Sequence, residues 1–281
     1  MQKLVDYLSL VRFYHPIGSL LLFFPCSFGI LLASTNDKIP WHLLLLFLVG
    51  SMIMRSAGCI INDLADKDLD ILVDRTKNRP LAKKSISILS SLILLFFLCL
   101  LGAMILFSLK KTAILAGLCA IPLVILYPFM KRLTNYPQAF LGITFSIGAL
   151  VGYAAVKDSL SISAFVLYIA CCFWTLGYDT IYAYQDKEDD INAGIKSTAI
   201  TFSKNPKLPL YSVYSLMVSL LIYIGVDNDF SSLFFFFVFL GLIQLIWQVY
   251  FFDPNSPHSC LKYFKSNAYL GLLILCAFAL A

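Results

Sequence analysis

The sequence predicts an all-α integral membrane protein, and three features of the chain support that fold class. Of the 281 residues, 60% are hydrophobic and only 13% are charged, and the mean hydropathy is +0.84. Soluble domains carry about 25% charged residues, so this balance excludes an ordinary soluble protein. Apolar runs of about 20 residues recur along the chain, and each is long enough to cross a bilayer as a helix. We therefore expect one membrane domain over residues 1–281.

The positions of these runs predict nine membrane-spanning helices. The first run is not a signal peptide, because it is too long, lacks a small-residue cleavage site and is followed by many similar runs. The spans and their short connections use up the chain, which leaves no separate soluble domain. The expected spans are residues 17–34, 41–60, 86–108, 112–130, 137–156, 160–183, 208–226, 231–252 and 266–281.

The basic residues lie in alternate loops, which is the positive-inside pattern of a membrane protein. The net charge of +5 therefore does not indicate a nucleic-acid partner. The basic set places the N-terminus and the loops after spans two, four, six and eight in the cytoplasm. With no transit peptide before Arg12, we expect a bacterial inner membrane. The loops on the opposite side carry only Lys38, Lys110, Lys111 and Lys157.

A weak internal symmetry divides the chain into halves of about 1–130 and 131–281. Each half has spans, then an acidic cluster, then a basic segment, and both clusters fall in long cytoplasmic loops. The eight cysteines show no CxxC or CxxH spacing, and most lie within apolar runs, where cysteine acts as a small hydrophobe. We therefore expect neither disulfides nor a zinc site.

The first acidic cluster follows the second predicted span. Asn62, Asp66 and Asp70 recur every four residues, so on a helix they form one stripe, and Asp63 flanks it. Like charges on one helix face repel, and beside a membrane they are costly unless a cation binds them. Mg²⁺ takes oxygen ligands, usually one or two carboxylates with substrate phosphate and water. These four residues are therefore predicted to hold Mg²⁺, with Asn62 supplying an amide oxygen or orienting a water.

Three cations follow this cluster, namely Arg75, Lys77 and Arg79. Arginine binds phosphate oxygens through two parallel hydrogen bonds, and lysine acts as a point charge. Cations beside metal-binding carboxylates suit a substrate that is an anion held through the metal, so we expect a diphosphate here. The alternative is a basic loop at the membrane surface that pairs with its own acids.

The second acidic cluster follows the sixth predicted span. Asp186 and Asp190 are one helical turn apart, and Asp179 lies two turns before Asp186, so the three can align. Asp179 falls inside the span, where an ionisable residue is a functional candidate by default. Lys196 lies beyond the cluster and is expected to neutralise a phosphate. The two clusters are interpreted as halves of one site for Mg²⁺ and a diphosphate.

Two other segments carry candidate residues with a structural alternative. Lys131 and Arg132 end the fourth span and are expected to hold an anion near the clusters, or else only to anchor the helix at the membrane surface. Tyr178 precedes Asp179 and is expected to contact the substrate, or else to belong to the interfacial belt of aromatic residues.

From Arg12 to the last span, the chain resembles the UbiA superfamily of intramembrane aromatic prenyltransferases. Asn62, Asp63, Asp66 and Asp70 fit its NDxxDxxxD motif, and Asp186 with Asp190 fits its DxxxD motif. Both motifs occur throughout the superfamily. The strings RTKNRPL, YPFMKR, YDTIYA and GIKSTA are similar to its hydroxybenzoate branch.

The resemblance implies nine helices around a central cavity that is open to lipid. It also implies a Mg²⁺-dependent transfer of a polyprenyl group from polyprenyl diphosphate to the ring of 4-hydroxybenzoate, as in ubiquinone biosynthesis. No obligate protein partner is expected. Asp179, or an acid of the second motif, is expected to accept the phenolic proton, and Arg132 matches a position for the aromatic carboxylate. The implied metal and catalytic carboxylates are Asp66, Asp70, Asp186 and Asp190.

Three alternatives remain open from the sequence. A prenyltransferase of the naphthoate or haem branch would act on another ring. A transporter of a divalent cation or an anionic metabolite also fits intramembrane acids and a pseudo-repeat, although both clusters lie at one membrane face rather than the midplane. A structural subunit, in which the acids only end helices, predicts that removal of Mg²⁺ has no effect.

Overall fold

The computed structural model describes residues 2–35 and 37–281, and in these residues all regular structure is helical. Two three-residue 3₁₀ turns, Asp70–Leu72 and Tyr184–Asp186, lie inside the two acidic segments. The α-helices of the described residues are α1 (Gln2–Leu10), α2 (Ile17–Ala33), α3 (Trp41–Asp66), α4 (Ile88–Phe107), α5 (Lys111–Leu133), α6 (Pro137–Lys157), α7 (Ile162–Ala183), α8 (Lys187–Asn192), α9 (Thr198–Thr201), α10 (Lys207–Asp227), α11 (Ser232–Phe251) and α12 (Pro257–Ala279).

Seven helical segments in the described residues are long and apolar enough to cross a membrane. They are α3, α4, α5, α6, α10, α11 and α7 with the turn and short helix that follow it. The helix α2 is apolar but has only 17 residues. The all-helical membrane fold is therefore confirmed, whereas the count of nine spans is not.

Two helix boundaries differ from the expected ones in a way that matters for function. The helix α3 continues to Asp66 rather than ending near residue 60, so the first acidic residues are carried on a rigid helix. The helix α12 begins at Pro257, nine residues before the expected span, because Pro257 occupies its first turn and the Ser256 side chain accepts a hydrogen bond from the Ser259 backbone N–H. The start of α12 is therefore determined by these capping residues, which a hydropathy pattern does not detect.

The bundle has a densely packed part and a more open wall. Helices α2, α7, α10, α11 and α12 share a core rich in aromatic side chains, in which Phe28 stacks on Trp174 with the ring centroids 5.9 Å apart. The Trp174 indole N–H donates to Asn267 Oδ1 at 2.8 Å, and Asn267 Nδ2 donates to the Tyr263 and Phe264 carbonyls, so the polar atoms of both buried side chains are satisfied. Helices α4 and α5 bury few residues, so most of their surface is available to lipid. The open wall and the packed part enclose the central cavity described below.

The close crossing of α2 and α6 depends on two glycines. A Cβ atom on Gly152 of α6 would collide with the backbone carbonyl of Cys26 in α2, and one on Gly29 of α2 would collide with the backbone of Ala149 in α6. Backbone atoms cannot move aside as a flexible side chain can. Small residues that let helices approach closely are a common device of membrane helix packing.

The substitution Gly152→Ala should therefore destabilise the protein by about 1–3 kcal/mol, since the added methyl group forces α2 and α6 apart. Gly58→Ala is the matched control, because no atom lies within 4 Å of the added Cβ. We expect thermal unfolding in detergent to show a lower midpoint for Gly152→Ala only. Equal midpoints for the two variants would contradict the close crossing.

Candidate active site

The two acidic clusters meet at one end of the bundle, although more than a hundred residues separate them. The Asp74 backbone N–H donates to Asp189 Oδ2 at 3.0 Å. The Arg75 guanidinium holds both carboxylate oxygens of Asp186, with Nε at 2.8 and 3.0 Å from them, and also donates to the Tyr182 hydroxyl at 3.0 Å. The loop after α3 is thus joined directly to the acidic segment after α7.

Arg75 keeps its charge firmly in this position. Burial opposes the charged form, but Tyr182 and the hydrogen-bonded carboxylate of Asp186 outweigh it and hold the pKa of Arg75 above its usual range. A bidentate contact of this kind fixes the orientation of the guanidinium as well as its distance.

The first cluster does not form one continuous helical stripe, as its spacing suggested. The helix α3 ends at Asp66, and Asp70 lies in the 3₁₀ turn that follows. The carboxylates stay together because Arg79 bridges them, with Nη1 at 3.1 Å from Asp63 and 2.9 Å from Asp70. The Thr76 hydroxyl also donates to the Asp70 carbonyl at 2.9 Å and closes the turn.

The N-terminal segment contributes a cation that the sequence did not single out. Arg12 Nη2 lies 2.7 Å from Asp63 Oδ1, so this buried carboxylate accepts from two arginines. Arg12 has a φ of 57°, a left-handed conformation that is unusual for a residue other than glycine. Only the fold brings Arg12 to a carboxylate 51 positions away.

The end of α5 supplies the third edge of the site. Lys131 Nζ lies 2.6 Å from Asp66 Oδ2, while Arg132 Nη2 lies 3.7 Å from the other oxygen and donates to the Ala65 carbonyl at 3.0 Å. The Lys131 carbonyl accepts the backbone N–H of Lys196 at 2.9 Å. The segment after the second cluster is therefore attached to the same edge.

These groups surround the mouth of a cavity of about 1260 Å³. Along α3 the lining runs from Phe47 to Asp66, a distance of about 28 Å at 1.5 Å per residue. The deeper wall is apolar, with residues such as Leu21, Ile121 and Val151. The cavity is therefore charged at one end and apolar over most of its length.

Most of the predicted site residues line this cavity, and two do not. Lys77 is half exposed and pairs with Asp74 at 2.6 Å, and Arg132 is half exposed beside Ala65; neither belongs to the lining. The predicted residues that do line it are Asn62, Asp63, Asp66, Asp70, Arg75, Arg79, Lys131, Tyr178, Asp179, Asp186, Asp190 and Lys196.

Arg55 is a further cavity residue, to which the sequence had assigned no role. It lies in α3, two turns before Asn62, and its Nε is buried without a hydrogen-bond partner. Its guanidinium carbon lies 5.9 Å from the centre of the Phe145 ring, and Asp179 and Tyr127 line the same cavity. A cation inside a membrane span is a functional candidate by default, so the position of Arg55 in a predicted span was the feature of the sequence that could have identified it.

The carboxylates at the mouth suit a divalent cation completed by a substrate. Asp63 Oδ2 and Asp66 Oδ1 are buried and accept no hydrogen bond. In residues 2–35 and 37–281, however, no three acidic, cysteine or histidine side chains converge on one point. Arg79 and Lys131 hold part of the carboxylate oxygens instead. A cation such as Mg²⁺, which needs only one or two carboxylates beside phosphate and water, fits this donor set.

The fold and the site define a helical membrane protein that has acidic and basic side chains together at the mouth of an apolar cavity. Residues 22–273 match the model of the UbiA prenyltransferase family, and the chain belongs to that family.

The chain resembles two solved structures in fold, with 22% sequence identity to each. For the apo UbiA homologue of Aeropyrum pernix K1, the TM-score is 0.77, with 91% of this chain and 94% of that chain covered. For the UbiA homologue of Archaeoglobus fulgidus bound to GPP and Mg²⁺, the TM-score is 0.72, with 98% and 99% covered.

Two relatives are more similar in sequence, and both are named 4-hydroxybenzoate polyprenyltransferase, mitochondrial. The protein from Dictyostelium discoideum is 43% identical over 276 residues, which are 96% of this chain and 59% of that protein. The human protein is 41% identical over 278 residues, which are 97% of this chain and 74% of that protein. This chain thus spans about three fifths of the Dictyostelium relative and about three quarters of the human one.

The contact between the two clusters predicts a specific crosslink. In the double variant Asp74→Cys with Asp189→Cys, mild oxidation should join the two loops, since the backbone of one already contacts the side chain of the other. A peptide map by mass spectrometry distinguishes this bond from any that involves the native cysteines. The pair Asp158→Cys with Asp189→Cys is the control, because the length of α7 separates the two positions. Absence of the first crosslink would contradict the shared site.

Proposed function

We propose that this chain transfers a polyprenyl group from polyprenyl diphosphate to 4-hydroxybenzoate, at the ring carbon next to the hydroxyl, in ubiquinone biosynthesis. One observation carries the proposal: two acidic clusters, joined through Asp74 and Arg75, stand at the mouth of a long apolar cavity. The names of the relatives support the choice of the aromatic acid over the naphthoate and haem alternatives.

The charged mouth and the apolar interior match the two parts of such a donor. We assign the diphosphate head to the mouth, where guanidinium groups provide paired hydrogen bonds and lysines provide point charges. The isoprenoid tail would lie along the apolar part of the wall, within a cavity that runs for about 28 Å along α3 from its charged end. The cations assigned to the head are Arg75, Arg79, Lys131 and Lys196, and Arg12 joins them because of its place at the rim. Lys77 was predicted with them but lies outside the cavity lining and pairs with Asp74, so we do not assign it to the head.

We further propose Mg²⁺ as the divalent cation of this site. Asn62, Asp63, Asp66 and Asp70 on one side, and Asp186 with Asp190 on the other, would hold it together with the diphosphate. The unpartnered oxygens of Asp63 and Asp66 support this assignment. When bound, Mg²⁺ supplies positive charge to the diphosphate oxygens as the C–O bond of the donor breaks.

The aromatic acid needs a cation for its carboxylate and a polar group near its hydroxyl. The resemblance assigns Arg132 to the carboxylate, but Arg55 lies inside the cavity and its buried Nε has no hydrogen-bond partner in the described residues. We therefore propose Arg55 as the principal carboxylate ligand and retain Arg132 as the competing assignment. Tyr178 would pack near the ring, and Asp179 would accept the phenolic proton.

In the reaction, the C–O bond of the donor breaks, the diphosphate leaves, and a bond forms between the allylic carbon and the ring carbon next to the hydroxyl. Asp179 would take the phenolic proton as the ring attacks; the substituted ring carbon would then lose its proton to the released diphosphate, and the proton on Asp179 would return to the phenolic oxygen. Cations such as Arg75 and Lys131 stabilise the charge that develops on the leaving group. The apolar walls keep water away from the allylic carbon until the ring attacks it.

The distribution of basic residues supports a location for the site. We propose a bacterial inner membrane, with nine spans and with the mouth of the cavity on the cytoplasmic side, where Lys and Arg are concentrated.

The variants Asp66→Ala and Asp186→Ala should each abolish prenyl transfer, because each removes a carboxylate from the mouth. The assay supplies membranes with labelled 4-hydroxybenzoate, a polyprenyl diphosphate and Mg²⁺, and measures a lipid-soluble product. Asp68→Ala is the matched control, since Asp68 is exposed and makes no ion pair in the described residues. We expect full activity in the control and a loss of at least about a hundredfold in the other two, which corresponds to about 2.7 kcal/mol of barrier. Full activity in either would reject the metal site.

The variants Arg55→Met and Arg132→Met separate the two assignments for the aromatic carboxylate. Loss of a charged hydrogen bond costs about 1.5–3 kcal/mol, so the KM for 4-hydroxybenzoate should rise by about tenfold or more in Arg55→Met. The KM for the diphosphate should change little. A rise in Arg132→Met alone would transfer the role to Arg132.

A further inference from the structure

The segment Ile195–Ser197 lines the mouth of the cavity. It is attached to the bundle through Gln138, a residue that has no assigned role in the proposed site. Gln138 lies in the first turn of α6 and is buried, with 7% of its surface exposed. Its Oε1 accepts the backbone N–H of Thr198 at 2.9 Å, across 60 positions of sequence. We propose that Gln138 positions this segment and donates a hydrogen bond from its amide nitrogen to the diphosphate head.

The Thr198 N–H fixes the orientation of the Gln138 amide. A backbone N–H can only donate, so the oxygen of the side chain must face it. The nitrogen, Nε2, is therefore turned the other way, and no acceptor in the described part of the chain hydrogen-bonds to it. Gln138 lines the cavity and its oxygen is held by Thr198, so we place its two N–H groups toward cavity space.

Neighbouring hydrogen bonds show where Gln138 lies within the cavity. The Thr198 hydroxyl lies 2.7 Å from that of Thr180, and the Lys196 N–H donates to the Lys131 carbonyl at 2.9 Å. Gln138 is therefore held at the charged end of the cavity, close to the lysine that pairs with Asp66. An oxygen-rich anion at this end would accept from Nε2. This step rests on the proposed function, which places the diphosphate there.

Two substitutions separate the positioning role from the binding role. Gln138→Glu keeps an oxygen that accepts the Thr198 N–H but replaces the donor nitrogen with a second oxygen. Gln138→Leu removes both groups at similar volume. The first variant should therefore retain the attached segment while weakening diphosphate binding, and the second should lose both.

Hydrogen exchange followed by mass spectrometry tests the positioning role on the substrate-free protein in detergent. We expect slow exchange at the Thr198 amide in the wild type and in Gln138→Glu, and exchange at least about tenfold faster in Gln138→Leu, because a buried hydrogen bond is lost. Unchanged exchange in Gln138→Leu, or fast exchange in Gln138→Glu, would overturn the positioning role.

Titration with geranyl diphosphate and Mg²⁺ tests the donor role. The Kd for geranyl diphosphate should rise by at least about tenfold in Gln138→Glu, because a charged hydrogen bond is replaced by repulsion between oxygens. Binding by Gln138→Glu that equals the wild type would overturn the donor role. These outcomes differ from failure of the proposed function, in which the wild type binds geranyl diphosphate but yields no prenylated aromatic acid.

Discussion

The contact of Asp74 and Arg75 with the second acidic cluster is the interaction on which the site depends. It joins two loops that follow different membrane helices, and it places both sets of carboxylates around one opening. Several of these acids are buried at a membrane boundary, where an unpaired charge is costly. The arginines and lysines of the same loops neutralise them, and removal of one partner of a buried pair typically costs about 3–5 kcal/mol. The charged mouth is therefore part of the stability of the bundle as well as of its chemistry.

The same groups explain how one end of the bundle suits both a divalent cation and a phosphate group. The oxygens of Asp63 and Asp66 that accept no hydrogen bond suit a divalent cation, whereas the guanidinium groups beside them match phosphate oxygens. The deeper wall, with residues such as Leu21, Ile121 and Val151, offers a charged head fewer polar partners than the mouth does. A donor with an ionic head and a hydrocarbon tail thus has one orientation in the cavity.

Much of the fold was predictable because apolar runs and charge asymmetry report directly on membrane helices. Spacing also identified the acids and most of the cations at the mouth. Two features were not predictable, since they depend on long-range contacts: the pairing of Arg12 with Asp63 and the bond from Gln138 to Thr198. Arg55 was missed although its position inside a predicted span marks it as a candidate. The end of α3 at Asp66 was missed for a local reason, because regular spacing alone does not reveal where a helix stops. The internal duplication of the chain stays a prediction.

A structure of the protein with Mn²⁺ and geranyl diphosphate, in which anomalous scattering locates the metal, would show whether the two clusters share one site. We expect metal density between the two clusters, with oxygens of Asp66 or Asp70 and of Asp186 or Asp190 at about 2.0–2.3 Å and the diphosphate bridging the two sides. Metal bound by one cluster alone, with the diphosphate elsewhere, would contradict this expectation.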